Sequence, residues 1–292
     1  MMKIAVLSDI HGNMPALRAV ATHIESWQPN LVVVNGDIVN RGPCSQTALR
    51  FVLDKRNSDG WHLLRGNHEE FLLRSGQPDA NINDPYSEIN RFVHFAYCQL
   101  NGELEALIDM PERFSWFAPD NSEFRVVHGS MRSNRDGIYI ELTDEELRQR
   151  IFPAPSVFVT GHTHQPLIRQ VDETLVVNTG AVGAPFDLDW RPSYGRFAWE
   201  PQHGWQAEIA RVEYDRALVE QDYVRSGFLN DGGPLAQIML VELRRSRGLI
   251  HHWSSQYEKA VMSGEISLKD SVERVLQEKE IRPYLGPPGW IF

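Results

Sequence analysis

The chain has 292 residues, a formal net charge of −10 at pH 7 and 42% hydrophobic residues, which is typical of a globular protein of one or two domains. The acidic balance argues against a long nucleic acid as partner, because the average field would repel a polyanion. Two cysteines, Cys44 and Cys98, are too few for a disulfide framework or a cysteine-ligated zinc site. The apolar run at residues 3–7 is too short for a signal peptide, and no run reaches membrane-spanning length, so we expect a cytoplasmic protein without a membrane partner.

The first part of the chain alternates apolar runs of strand type with helical patterns. Strands are predicted at residues 3–7, 31–35 and 61–65, and helices at about 14–27 and about 45–55. This alternation is typical of β-α-β units and of a largely parallel sheet. A mostly helical insertion is predicted over about 70–117, with a polar break at 76–85.

Strand-type runs return in the middle of the chain, at residues 124–127, 156–160, 174–178, 195–199 and 205–214. Because no long helix separates the last of them, they predict a second, more antiparallel sheet. From about residue 215 the pattern is helical again, and one helix is predicted at 267–279 with Ser267 as its N-cap.

Polar clusters follow directly on five of these strand runs, and they read SDIHGN, GDIVNRG, RGNHEE, VHGS and TGHTH. In open α/β sheets, ligands bind beyond the carboxyl ends of the strands, so the five clusters are expected to converge on one site. The clusters contain seven side chains that could ligate a metal: Asp9, His11, Asp37, Asn67, His128, His162 and His164.

Taken singly, each cluster has an ordinary structural alternative. Asp37 and Arg41 could form a salt bridge within a turn. Asn67 could cap a helix whose first turn carries Glu69, since the helix dipole favours acidic residues there. A lone histidine after a strand, such as His128, is usually a structural residue.

Together and in this order, the motifs D-x-H, G-D…R-G, G-N-H-E, H and G-H-x-H resemble the calcineurin-like metallophosphoesterase superfamily over roughly residues 3–214. The stretches GHTHQP and VVNTGAVGAPFD resemble its bacterial branch of small cytosolic phosphoesterases and phosphatases. The resemblance implies an α/β (α+β) four-layer sandwich, in which two facing mixed sheets flanked by helices carry a binuclear metal site at the carboxyl ends of the strands. We expect a catalytic domain at 1–215 that includes the helical insertion, and a helical extension at 216–292 packed on it.

The resemblance also implies two divalent metal ions as cofactors. Its pattern assigns the first ion to Asp9, His11, Asp37 and His164, and the second to Asp37, Asn67, His128 and His162. Nitrogen and oxygen donors without thiolates suit manganese, iron or zinc, and the ligand set does not choose among them. A water between the two ions would lose its proton and act as the nucleophile, so no covalent intermediate is expected.

The catalytic roles implied by the resemblance fall on Asp37, which bridges the ions, and on His68 and Arg41. His68 is the expected general acid, Arg41 would neutralise phosphate charge, and both would bind substrate together with Asn67. Asn40 departs from the pattern of many phosphatases, which carry Asp there. An amide orients His68 but stabilises its imidazolium less well, so Glu69 or another carboxylate is the alternative partner. Two further arginines are weaker candidates for a phosphate clamp, and a structural ion pair is the more typical role for them: Arg65 and Arg132.

The predicted function is metal-dependent hydrolysis of a small phosphorylated substrate, by a phosphatase or a phosphodiesterase. One alternative is a binding module that keeps the scaffold without catalysis. A nuclease is a second alternative, which the acidic charge and the lack of a basic, aromatic groove disfavour. Four aromatic residues could stack on a base or an aromatic leaving group, although core packing is the more typical role: Trp116, Tyr139, Phe186 and Trp190.

Overall fold

Two five-stranded sheets face each other in the computed structural model, which describes residues 1–75 and 85–286. The strands in chain order are β1 (Met2–Leu7), β2 (Leu31–Asn35), β3 (His62–Leu64), β4 (Arg113–Phe117), β5 (Glu123–Val127), β6 (Val157–Thr160), β7 (Leu167–Val171), β8 (Thr174–Asn178), β9 (Ser193–Glu200) and β10 (Gly204–Arg211). The first sheet has the order β10-β9-β1-β2-β3 and the second β4-β5-β6-β8-β7. Both sheets are mixed, which confirms the predicted fold class.

Helices cover the outer faces of the sheets and form most of the chain after residue 215. They are α1 (Met14–Trp27), α2 (Ser45–Asp59), α3 (Asn67–Ser75), α4 (Pro85–Ile89), α5 (Arg91–Leu100), α6 (Glu105–Ile108), α7 (Asp144–Ile151), α8 (Arg216–Arg225), α9 (Phe228–Asp231), α10 (Leu235–Arg245), α11 (Ile250–Trp253), α12 (Lys259–Met262) and α13 (Leu268–Leu276). A π-helical turn joins α11 to α12, and a 3₁₀ turn follows α13. None of the helices in the described ranges is long and apolar enough to cross a membrane.

The elements predicted in the first part of the chain form largely as expected. The bounds of α1 and β2 agree with the prediction, and α2 extends to Asp59. In the predicted insertion, however, Arg113–Phe117 is the edge strand β4 rather than helix, so the helical part ends at α6. Its residues alternate in burial, as they do in a strand with one face on the core.

The grouping of the later strands differs from the prediction. Strands β9 and β10 do not join the second sheet, because β9 pairs antiparallel with β1 and thereby extends the first sheet. Helix α7 and strand β7 were not predicted. Ser267 does cap α13, where its side chain accepts a hydrogen bond from the backbone of Asp270.

The core between the two sheets consists of branched and aromatic side chains. Ile4 and Val6 of β1 pack in one cluster with Phe124 and Val126 of β5 and with Val159 of β6. A second cluster lies between the first sheet and helices α1, α2 and α5, and a third lies under α7. With both faces covered, β1, β2 and β6 are held firmly, and their carboxyl ends point to one edge of the sandwich.

Helices α8 to α13 share a hydrophobic cluster of their own around Phe228 and Trp253. Phe92 and Phe95 of α5 pack against this cluster, so the helical insertion and the carboxy-terminal helices are in contact. The division of the chain at residue 215 stays a prediction. The polar break predicted at 76–85 lies almost wholly outside the described residues, as does the tail from 287 onwards.

Candidate metal centre

The structure brings all seven predicted ligands together at the carboxyl ends of β1, β2, β3, β5 and β6. Five of them have a left-handed backbone, with φ of 57° at Asp9, 47° at His11, 52° at Asp37, 66° at His162 and 59° at His164. Side chains with a Cβ rarely adopt this region, and such strain is concentrated at functional sites. The strands therefore turn sharply as they end, and each turn directs a side chain into the centre.

One half of the centre consists of Asp9, His11 and His164. The Oδ1 atom of Asp9 lies 3.2 Å from Nε2 of His164 and 3.9 Å from Nε2 of His11. All three side chains are buried. The other oxygen of Asp9 accepts a hydrogen bond of 3.0 Å from the backbone N–H of His162, which fixes the carboxylate.

The other half consists of Asp37, Asn67, His128 and His162. Nε2 of His128 lies 3.2 Å from Oδ2 of Asp37 and 3.1 Å from Oδ1 of Asn67. Nδ1 of His162 lies 2.9 Å from the same amide oxygen. Asp37 also approaches His11, at 3.8 Å between Oδ2 and Nε2, so it stands between the two halves.

Backbone carbonyls determine which ring nitrogen of His11 and of His164 carries the hydrogen. The Nδ1 atoms of His11 and His164 lie 3.2 Å and 2.6 Å from the carbonyl oxygens of Asn40 and Ala184. A carbonyl oxygen only accepts, so each Nδ1 donates and each Nε2 presents a lone pair. These two lone pairs face each other at 3.1 Å.

His128 and Asp9 show the same shortage of hydrogen-bond donors. Nδ1 of His128 donates to the carbonyl of Asn35 at 2.8 Å, so a neutral ring would present a lone pair on Nε2 to oxygen acceptors, and without a metal ion Nε2 must carry a proton. Oδ1 of Asp9 is buried and has no hydrogen-bond partner. Buried acceptors that face one another are costly without a cation, and nitrogen and carboxylate donors are the ligands that transition metals take. The residues present therefore fit a metal centre.

The pKa values of the buried groups also indicate that a positive charge is favoured in the centre. Burial disfavours a charged His128, but Asp37 and Asp9 outweigh burial and raise its pKa to about 10. Burial likewise opposes ionisation of Asp37, yet His128 and His68 hold its pKa well below the usual range. Burial and then His164 lower the pKa of His11 to about 3. The carboxylates of the centre thus favour a positive charge on His128, and a metal ion would displace that proton.

Glu69 supports the centre without being part of it. Its carboxylate is fully buried and accepts backbone N–H groups of Gly66, Asp37 and Ile38 at 2.8 Å and of Val39 at 3.3 Å. Burial, followed by the charge of Asp37, raises the pKa of Glu69 to about 7. The side chain ties the turn after β2 to the turn after β3, and it is not the alternative partner of His68 that the sequence suggested.

His68 is oriented by Asn40, as expected. The backbone N–H of Arg41 donates to Oδ1 of Asn40 at 2.8 Å, which leaves the Nδ2 amide group to face Nδ1 of His68 at 2.9 Å. His68 thus accepts on Nδ1 and carries its hydrogen on Nε2, 4.0 Å from Oδ2 of Asp37. Burial lowers the pKa of His68 well below its usual value, although Asp37 acts in the opposite direction.

Arg41 does not pair with Asp37, which was its structural alternative. Its guanidinium lies 2.5 Å from Oε2 of Glu242 on α10, and it lies against the ring of Phe186 at 5.7 Å from the centroid. Phe186 in turn stacks on His164, with 4.4 Å between ring centroids and an interplanar angle of 22°. Phe186 was expected only as a stacking partner of a base or as a core residue, and its contacts with Arg41 and His164 were not predicted. Glu242 was not predicted at all, because no local pattern marks it.

Other candidates from the sequence lie in structural contacts. Arg65 pairs with Glu112, and Arg132 donates to Gln149. Trp116 packs on Trp205 and Trp190 packs on Tyr214, whereas Tyr139 is exposed. The two cysteines are free thiols.

Comparison with known proteins places this site in a family. The family model described as calcineurin-like phosphoesterase matches residues 2–166. The uncharacterized protein MJ0912 of Methanocaldococcus jannaschii is 25% identical over 227 residues, which are 73% of this chain and 88% of that protein.

Two solved structures resemble the whole arrangement. A metallophosphoesterase from Sphaerobacter thermophilus is 26% identical with a TM-score of 0.66, and the alignment covers 84% of this chain and 99% of that one. The hypothetical protein PH1004 from Pyrococcus horikoshii OT3 shares the fold at 19% identity, with a TM-score of 0.68 and coverage of 81% and 98%. Because the family model spans more than half of the sequence, including the strand ends that carry the ligands, the chain belongs to the calcineurin-like phosphoesterase family.

Proposed function

We propose that this protein is a phosphoester hydrolase that holds two divalent ions among the seven side chains at its strand ends. One observation carries the proposal. Buried acceptors from five strand ends face one another with fewer hydrogens than their contacts require, His68 packs edge-on against His11, and Arg41 lies over Phe186, which stacks on His164. Metal dependence belongs to the family, whereas the number of ions and their identity are part of the proposal.

The ligands divide as the two halves of the centre do, with Asp37 between them. Asp9, His11 and His164 offer atoms within 4.8 Å of one another, and so do Asp37, His128 and His162. When bound, manganese, iron or zinc ions would neutralise phosphate charge and supply an activated water as the nucleophile.

Arg41 and His68 act on the substrate itself in this proposal. The guanidinium of Arg41 is a planar donor suited to two phosphate oxygens. In its imidazolium form, His68 would pass the proton on Nε2 to the oxygen of the leaving group and return to the neutral ring, and Asn40 holds the ring in the orientation that this requires. The substrate would be a small phosphorylated molecule, either a monoester or a diester.

Metal reconstitution tests the function directly. The protein would be stripped of metal, reloaded with manganese or zinc, and assayed against a panel of phosphomonoesters and phosphodiesters. We expect two ions per chain, hydrolysis of at least one class of ester after reloading, and none before it. Full metal content without hydrolysis of any ester would favour the binding module instead.

His68→Ala tests the proton donor. Alkyl phosphates need a proton on the departing oxygen, so we expect their hydrolysis to slow by about 10²–10⁴-fold. Nitrophenyl esters, whose leaving group needs little protonation, should slow much less. Equal losses on both kinds of ester would remove His68 from this role.

A further inference from the structure

The ion pair between Arg41 and Glu242 connects the candidate site to the carboxy-terminal helices. The two residues are 201 positions apart in the chain, and Nη2 of Arg41 lies 2.5 Å from Oε2 of Glu242. The side chain of Glu242 is 3% exposed and that of Arg41 is 18% exposed. A charge pair this well buried is held in one geometry far more firmly than a surface pair.

Glu242 is itself anchored from the other side. Its second oxygen, Oε1, accepts hydrogen bonds from the backbone N–H groups of Leu249 at 2.6 Å and Ile250 at 2.8 Å. These groups lie at the start of α11, so the carboxylate is fixed by two helices at once. Its position does not depend on Arg41, whereas the position of the Arg41 guanidinium depends on it.

The contacts of Arg41 leave most of its donors free. Among the residues that the structure describes, Glu242 is the only hydrogen-bond partner of the guanidinium, and it takes one nitrogen. The central carbon of the guanidinium lies over the ring of Phe186, 5.7 Å from its centroid, and Phe186 stacks on His164 of the metal centre. The carbonyl of Arg41 accepts from the hydroxyl of Tyr223 at 3.5 Å, so α8 also holds this residue.

We propose that Glu242 is a positioning residue that holds the Arg41 guanidinium toward the phosphate site, so that the carboxy-terminal helices complete the active site. The proposal rests on the proposed function, because it takes Arg41 as a phosphate contact. Glu242 takes one nitrogen of the planar group, and the remaining N–H donors stay available to the substrate. An arginine without this contact would sample several rotamers and lose that preorganisation.

Glu242→Gln tests the proposal in the metal-loaded protein with 4-nitrophenyl phosphate as substrate and orthophosphate as competing ligand. The amide keeps an oxygen for the backbone of α11 but loses the charge that holds Arg41. We expect KM and the inhibition constant of orthophosphate to rise about tenfold, with kcat and metal content nearly unchanged. A KM equal to or below that of the unchanged protein would overturn the proposal.

Two matched variants separate positioning from a general effect on folding. Glu220→Gln removes the carboxylate partner of Arg244, at 2.8 Å in the same group of helices, and should leave KM unchanged. In an Arg41→Gln background, adding Glu242→Gln should change KM less than about twofold, because the two residues act as one unit. Equal effects of Glu242→Gln in both backgrounds would show a structural role and overturn the proposal.

Glu242→Asp covers the case in which the glutamine variant does not fold. It keeps the charge and shortens the side chain by one methylene, so we expect a folded protein with a lowered unfolding temperature and a raised KM. A folded Glu242→Asp protein with unchanged KM contradicts the proposal. If the unchanged protein neither hydrolyses esters nor binds orthophosphate, the proposed function fails as well. If it hydrolyses esters and only the Glu242 effects are absent, this inference alone fails.

Discussion

The centre of the site and its two supports differ in how their buried carboxylates are satisfied. Asp9 in the centre has an oxygen without any hydrogen-bond partner. Glu69 and Glu242, which support the centre from either side, accept four and two backbone N–H groups respectively. Both kinds of carboxylate are buried, yet only the supports are complete within the protein itself.

This difference separates residues that await a ligand from residues that hold the fold around it. An unsatisfied buried acceptor is retained only where something else provides the missing positive charge. A carboxylate that accepts several backbone N–H groups fixes loops whether or not an ion is bound. The supports should therefore act on stability in every metal state, and a larger part of the effect of the centre on stability should depend on the metal.

The largest expected effect is that of Glu69→Ala. Removal of this side chain leaves four backbone N–H groups without their acceptor in a buried place, so we expect a loss of about 3–5 kcal/mol in the free energy of unfolding. Urea unfolding measured with metal and with chelator should show a similar loss. As a control, Glu70→Ala removes only a 3.7 Å pair with Arg135 and should cost under about 1 kcal/mol. If the loss occurred only in the metal-loaded protein, Glu69 would act through the metal, and the distinction between the supporting carboxylates and those of the centre would fail.

Metal removal is expected to have a somewhat smaller effect. At a metal concentration 100-fold above Kd, binding stabilises the folded state by about 2.7 kcal/mol, and a chelator should remove this amount. Unfolding in urea with and without chelator measures the difference, and Asp37→Asn should reduce both this difference and the bound metal. Identical unfolding curves in the two conditions would show that the facing lone pairs are not a metal site.

Asn40→Asp should have the smallest effect of the three changes. It tests how the residue that orients His68 influences the pKa of that ring. A carboxylate at position 40 accepts from Nδ1 of His68 and favours its charged form, so the pKa of His68 should rise by about 1–3 units. The ring then stays protonated to higher pH, and the alkaline limb of kcat for alkyl phosphates should move to higher pH. Asn121→Asp adds the same charge at an exposed site as the control. An unshifted pH profile would show that His68 does not transfer the proton.

The sequence was sufficient to predict which side chains meet at the site and most of the strands that carry them. Asp9 and Asp37 follow immediately on buried apolar runs, so the strand pattern also located the site. Motif residues on five strands must meet if the strands share one edge, and the structure brings them together. Their roles as ligands stay a prediction, because the structure shows their arrangement and not their occupancy.

Other features depend on contacts that no local pattern reveals. Strands β9 and β10 extend the first sheet only because β1 offers a free edge to a segment almost 200 residues later. Glu242 lies in an ordinary amphipathic helix and acquires its role through Arg41. Helix α7 is different, since the capping box of Thr143 and Glu146 was a readable signal that the sequence analysis missed.

The left-handed backbone at five of the ligands bears on which ions the protein accepts. In each such residue the turn sets the direction in which the side chain leaves the main chain, which limits how far its donor atom can move before an ion arrives. A rigid cage discriminates by ionic radius and preferred geometry, whereas a flexible one adapts to many ions. Selectivity in this protein would then reside in the turns of the main chain, and loosening a single turn should broaden the range of metals that it takes up.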